Sequence, residues 1–157
     1  MNILVLPITE IIPEYIYYLD SKNNMLMDGI FTKVIYTNEW FTMNGLYINL
    51  PIEMQCIDTN NNYKQTVFFS VSQYSTLLHQ LDLLEQNILS KYIPTDKNKH
   101  KSFLIMQSLK LGYFRILKGD NFPTKKITGF VLKISGIWEN ANEYGLSYKI
   151  MDGSCSE

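Results

Sequence analysis

Alanine and arginine are nearly absent from this 157-residue chain, which has one of each, Ala141 and Arg115. Both depend on GC-rich codons, and 13 Lys, 14 Asn and 18 Ile point to an AT-rich gene. A lone arginine also argues against a double-stranded DNA reader built on bidentate guanine contacts. Cysteine is scarce too. Cys56 and Cys155 make neither a CxxC pair nor a disulfide framework, so a reduced, intracellular protein is expected. The two histidines, His79 and His100, have no cysteine at zinc-ligand spacing, and no metal site is expected. No apolar run approaches the roughly 18 residues of a membrane span. The run Ile3-Leu4-Val5-Leu6 is short, lacks a basic flank and leads into Pro7 and Glu10, unlike a signal peptide.

Catalytic signatures are also missing. There is no GxSxG elbow, no GxxxxGK[ST] loop and no GxGxxG turn. His79 and Asp82 sit three apart on one helical stretch, a spacing more often met in exposed polar pairs than in catalytic dyads. Glu139 and Glu143 flank a turn, where solvation accounts for them better than paired-carboxylate chemistry does. No enzyme is expected, and no cofactor.

What is present suits a single β-rich domain. Apolar residues make up 46% of the chain and charged ones 18%, which excludes disorder, collagen and coiled-coil arrays. Eleven Tyr, 8 Phe and 2 Trp lean toward strands. The expected organisation is one domain over 1–157, with 1–25 as a lead-in strand or arm and 152–157 as a short tail. Asp20–Asn24 reads as a turn, and Ile30–Tyr36 as a strand. Asn44-Gly45 is a type I′ turn signal, because both central positions of that turn need positive φ. Leu46, Ile48, Leu50 and Ile52 then alternate with polar partners, and Pro51 marks an edge or bulge.

Asn60-Asn61-Asn62 separates this strand from Tyr63–Val71, as in a hairpin. The period then changes. Tyr74, Leu77, Leu78, Leu81, Glu85, Ile88 and Tyr92 fall at helical spacing, with Ser72 as N-cap and Pro94 as stop. Phe103–Leu109 fits a strand or a short helix, Gly112–Lys118 a strand, and Gly119–Pro123 a loop. Thr128–Trp138 and Tyr144–Met151 read as a closing hairpin around Asn140–Glu143. Three strands, a helix and at least two more strands is the order of the OB-fold, a Greek-key β-barrel with its helix between strands three and four.

The charge of −1 hides an uneven layout. Residues 1–63 carry −5, residues 64–90 carry −1, residues 91–133 carry +8 and residues 134–157 carry −3. The basic block suits phosphate backbones or an acidic partner, and salt weakens either contact. The plain alternative is a solvated loop at Lys97-Asn98-Lys99-His100-Lys101.

The segment Leu132–Glu139, followed by Glu143–Lys149, resembles the closing hairpin of small proteins of large nucleocytoplasmic DNA viruses. Gly29–Tyr36 with Met43–Tyr47 resembles their opening strands. Some of these proteins are similar to OB-fold single-stranded-DNA-binding proteins of the phage replication type. The resemblance implies non-catalytic binding of single-stranded DNA in viral replication or recombination, in the cytoplasm or nucleus of an infected cell. It admits homo-oligomers along the strand and viral replication proteins as partners. The phage type ends in a strongly acidic recruiting tail, whereas Met151–Glu157 is only weakly acidic.

Such binding needs cations for phosphates and aromatic rings on which bases stack. Strand alternation nominates Tyr47 and Phe68, with Tyr113, as platforms. Lys33, Lys64, Lys110, Arg115, Lys118, Lys125, Lys126 and Lys133 are the candidate phosphate contacts. Trp138 alternates in phase with Phe130, Leu132 and Ile134, and core packing is expected of it. The competing reading is a viral structural or protein-interaction module without nucleic-acid binding, its aromatics and hairpin edges serving β-augmentation.

Overall fold

The computed structural model describes residues 4–58, 64–117 and 129–153. Within them the elements run, in chain order, β1 (Leu6–Pro7), β2 (Ile16–Tyr18), β3 (Lys22–Asn23), β4 (Ile30–Thr37), β5 (Thr42–Met43), β6 (Leu46–Leu50), β7 (Cys56–Asp58) and β8 (Lys64–Phe68). They continue with α1 (Ser75–Lys91), β9 (His100–Ser102), α2 (Leu104–Leu109), β10 (Tyr113–Leu117), β11 (Phe130–Glu139) and β12 (Glu143–Asp152). The chain is mainly β, with α1 as the one long helix among the described residues. No helix among these residues is long and apolar enough to cross a membrane.

The 3.6-residue period produces α1 by giving it one apolar stripe. Leu78, Leu81, Leu84, Ile88 and Leu89 are buried along it. Ser72 does not cap this helix; it opens a short 3₁₀ turn, Ser72–Tyr74, that leads into it. The helix stops at Lys91, ahead of Pro94. Phe103–Leu109 resolves as the short helix α2, whose first amides are satisfied from α1. The buried Glu85 carboxylate accepts from Ile105 N at 3.1 Å and Met106 N at 3.2 Å. Burial pushes the Glu85 carboxyl above its usual range, against the lowering effect of those two hydrogen bonds.

The centre of the sheet is the antiparallel hairpin β11–β12. β6 and β4 pair with opposite ends of β11, and β10 and β9 pair parallel with opposite ends of β12. Beyond β10 lie β8 and then β7. β1 flanks β6, while β2, β3 and β5 pair with β4.

The path β1-β6-β11-β12-β10-β8-β7 has two free ends, so the expected OB-like barrel is corrected to an open mixed sheet. A Greek-key barrel needs the early strands to stay adjacent. Here β6 and β8 are separated by β11, β12 and β10. The chain turns away just after β6, where Ile52 N donates to Leu50 O at 2.8 Å around Pro51 and the Ile52 side chain is buried. The hairpin ending at β8 therefore forms with β7, not with β6.

Two local expectations are corrected for physical reasons. Asn44-Gly45 is not a type I′ turn, since no described non-glycine residue has positive φ. Of the pair only Gly45 does, at +109°, and a Cβ there would lie 2.8 Å from the Ile134 carbonyl oxygen. The pair is a step that moves the chain from β4 to β11 as pairing partner. Within the Asp20–Asn24 turn, Lys22 and Asn23 form a strand against Phe31 and Ile30. The Gly119–Pro123 loop, the Asn60–Asn62 turn and the tail from 154 onward lie outside the described residues.

One layer of the molecule is thus helical and the other is sheet. Leu81, Ile88, Ile105 and Leu109 meet Ile48, Phe114, Leu132, Ile137 and Leu146 in a shared core. The lead-in arm joins this layer, with Tyr18 Oη donating to Ile88 O at 2.7 Å. Burial pushes the Tyr18 phenol up to about 12.

Candidate nucleic-acid interface

Alternation along a strand sends successive side chains to opposite faces, so the register decides what the uncovered face of the sheet carries. Opposite the buried Leu46, Ile48 and Leu50 of β6 stand Tyr47 and Asn49. In β11, Lys133 pairs with Tyr47 on one side and with Lys149 of β12 on the other. In β10, Arg115 and Tyr113 alternate with the buried Phe114 and Ile116, and they pair with Thr66 and Phe68 of β8. In β4, Phe31 and Lys33 alternate with the buried Thr32 and Val34.

A β-bulge at Ser135 changes the phase of β11. Ile134 pairs with Tyr148, yet Gly136 pairs with Ser147, so two steps on β11 match one on β12. Residues after the bulge swap faces relative to simple alternation. Ile137 and Glu139 turn inward and are buried, and Trp138 turns outward, half-buried. The expectation of a core Trp138 is corrected by this one extra residue. Trp138 lies beside its register partner Phe31 on the open face. Both rings rest on glycine: a Cβ on Gly136 would sit 2.6 Å from Phe31 Cζ, and one on Gly145 would sit 2.9 Å from Trp138 Cζ2.

The open face therefore brings together Lys33, Lys133 and Arg115 with Tyr47, Phe68 and Tyr113, all nominated from the sequence. It adds Trp138, Lys149 and Lys22, the last beside Phe31 at the β3 edge. None of these cations takes part in an ion pair within the described residues. Glu143, at the start of β12, lies toward one end of the face. The Lys133 ammonium stands 5.3 Å from the Tyr47 ring centroid. An exposed cation–π contact is worth roughly 0.5–1 kcal/mol and base stacking about 1–3 kcal/mol, so a base can displace the lysine toward a phosphate. Phe68 and Tyr113 form a tilted pair with centroids 6.2 Å apart.

Lys64 opens β8 opposite Leu117, in the same alternating register as Thr66 and Phe68. Lys110 follows the last turn of α2, outside the strands. Lys118, Lys125 and Lys126 lie outside the described residues. The basic block is thus not a spatial block: of its described members, Arg115 and Lys133 reach the open face, and the remaining cations there come from segments of net negative charge.

One lysine of the expected solvated loop is structural. Lys99 Nζ lies 2.8 Å from Glu139 Oε1, and Glu139 is buried, which corrects the expectation of a solvated turn carboxylate. Glu139 also accepts from Thr95 N at 2.8 Å, Thr95 Oγ1 at 2.6 Å and Tyr92 Oη at 2.5 Å. Burial alone would raise its pKa, but hydrogen bonds from Lys99, Thr95 and Tyr92 outweigh that and bring it down to about 2. Tyr92 is in turn raised by burial and by the carboxylate it serves. The next loop residues, His100–Ser102, are strand β9 rather than free loop. This network fixes the end of β11 that carries Trp138.

No protein-family model matches the chain, and no curated protein or solved structure matches it either.

Proposed function

We propose that this protein binds single-stranded DNA without strong sequence preference, non-catalytically, across the uncovered face of its sheet. The observation that carries the reading is one register: Lys33, Lys133, Lys149 and Arg115 alternate with Tyr47, Tyr113, Phe68 and Trp138 on the face opposite the described helices. Cations spread over neighbouring strands track a flexible phosphate backbone, and rings between them stack any base. Open sheets with strand aromatics are an established solution for single strands. From β6 to β8 the face spans four strand spacings, about 19 Å. A rigid duplex offers no unstacked bases to these rings.

Fluorescence anisotropy with labelled oligo(dT) and its duplex, across a salt series, tests the reading. Four phosphate contacts give a log–log salt slope of about −3 for a single strand. Expected is tighter binding of oligo(dT) than of duplex, weakened by Phe68→Ala and Tyr47→Ala. Absence of binding at low salt overturns the reading.

A second reading, a protein-interaction module, is favoured by Trp40. Its side chain is 85% exposed, on a turn held by Asn38 Oδ1, which accepts from Trp40 N and Phe41 N. Aromatic anchors so displayed are typical of protein contacts.

A further inference from the structure

The open face is not flat throughout. Beside the bulge it sinks into a groove of about 800 Å³ whose lining includes Phe31, Trp138, Leu26, Lys22, Lys33 and Ser147. Leu26, in the lining, is 96% exposed, so the groove carries apolar surface open to solvent. Asp20 is the one carboxylate among its lining residues. We propose that this groove is a nucleobase subsite: it takes one unstacked base against Trp138, with the flanking phosphates on Lys22 and Lys33. The inference rests on the proposed single-strand binding and assigns it a fixed anchoring point.

One observation admits a base as the occupant and two favour it. The volume lies in the range that encloses a small organic group, and the lining is mostly apolar with a few polar atoms. Two aromatic side chains stand in register on adjacent strands, Trp138 opposite Phe31, which offers ring surface to a planar ligand. The groove is also continuous with the cationic face, because Lys33 belongs to both. An aliphatic chain with an acidic head would satisfy the apolar lining and the lysines, but it makes no use of paired rings or of that continuity.

The glycines explain why the subsite sits here. Gly136 and Gly145 let the Phe31 and Trp138 rings lie close to the backbone, where any larger residue would lift them. The Glu139 network holds the next residue along β11, so Trp138 is presented from a fixed strand end.

Trp138 supplies its own reporter. Trp40→Phe leaves it as the only tryptophan, and Trp40 lies outside the groove. In that background, oligo(dT) of about a dozen nucleotides is titrated while anisotropy and Trp138 emission are read together. An abasic strand of equal length and decanoic acid serve as controls. Expected is quenching of Trp138 at the same midpoint as the anisotropy change, with the abasic strand binding more weakly and leaving emission unchanged. Trp138→Leu is expected to weaken oligo(dT) binding roughly tenfold. If oligo(dT) binds but Trp138 emission and the Trp138→Leu affinity do not change, the subsite is overturned while single-strand binding stands. If emission responds to decanoic acid and not to oligo(dT), the groove holds an aliphatic acid and the inference fails. If no strand binds at all, both readings fail together.

Discussion

On the helix-covered side of the sheet, Glu139 is buried and collects four donors, one of them the Lys99 ammonium. Glu85, also buried, is met by two backbone amides and no cation. On the uncovered side, Lys33, Lys133, Lys149 and Arg115 stand without an ion-pair partner among the described residues. The covered face tolerates charge only where donors replace its lost water. The open face keeps like charges near one another because water screens them. Stability thus depends on the charges of the covered face, and under the proposed function binding depends on those of the open face, so each can be altered with little effect on the other.

The largest test of that division is Lys99→Met. Removing the lysine costs about 3 kcal/mol, the low end for a buried pair, because Lys99 is partly exposed and three other donors still serve the buried Glu139. Urea unfolding at neutral pH measures it, and a cost below about 1 kcal/mol would break the comparison.

Next in size is the acid limb. Glu139 has a folded pKa of about 2 against an ordinary 4.5, so its contribution is complete above 4.5 and is lost as pH falls toward 2. The interval corresponds to about 3 kcal/mol. Glu85 acts with the opposite sign: its raised pKa favours the folded protein as pH falls into its titration range, so it partly offsets the loss. Unfolding measured from neutral pH down to about 3 should steepen below 4.5, and Glu139→Gln should flatten the curve. A wild-type profile without slope there would remove Glu139 from the account.

The smallest stability effect is expected on the open face. The double change Lys133→Ala with Lys149→Ala should alter unfolding by less than about 1 kcal/mol, since the lost contact with Tyr47 is offset by relief of the repulsion between the two paired lysines. The same variant should make the salt slope of oligo(dT) binding shallower by roughly 1.5. Loss of stability without loss of salt dependence would mean that these lysines serve the fold.

Much of the fold was legible because it is local. The apolar stripe of α1, the alternation of β6 and the closing hairpin around Asn140–Glu143 each follow from spacing along the chain. Partner choice was not legible. Nothing near Leu50 says that β6 will pair with β11, eighty residues on, because that pairing is decided by which strands best cover the core. Ser135 was equally silent, since an extra residue in a strand has no composition signature, and it alone reversed the side of Trp138. Tyr47 and Phe68 were placed correctly opposite buried neighbours, as local alternation suffices there. Glu139 was misjudged because its donors come from the distant Tyr92, Thr95 and Lys99.

The last two strands occupy the middle of the sheet, and this sets an order for biosynthesis. The ribosome releases β6 and β8 well before the hairpin that completes the sheet exists, and β10 shortly before it. At ordinary translation rates, roughly 4–16 s separate the emergence of β6 from that of β11. During that time β6 presents an unpaired edge, joined near the end by that of β10, and an edge of this kind invites pairing with another chain. The fold therefore cannot be laid down from the N-terminus onward. It closes in a late step, when one hairpin slots between two waiting halves, and the nascent chain depends on whatever keeps those halves apart until then.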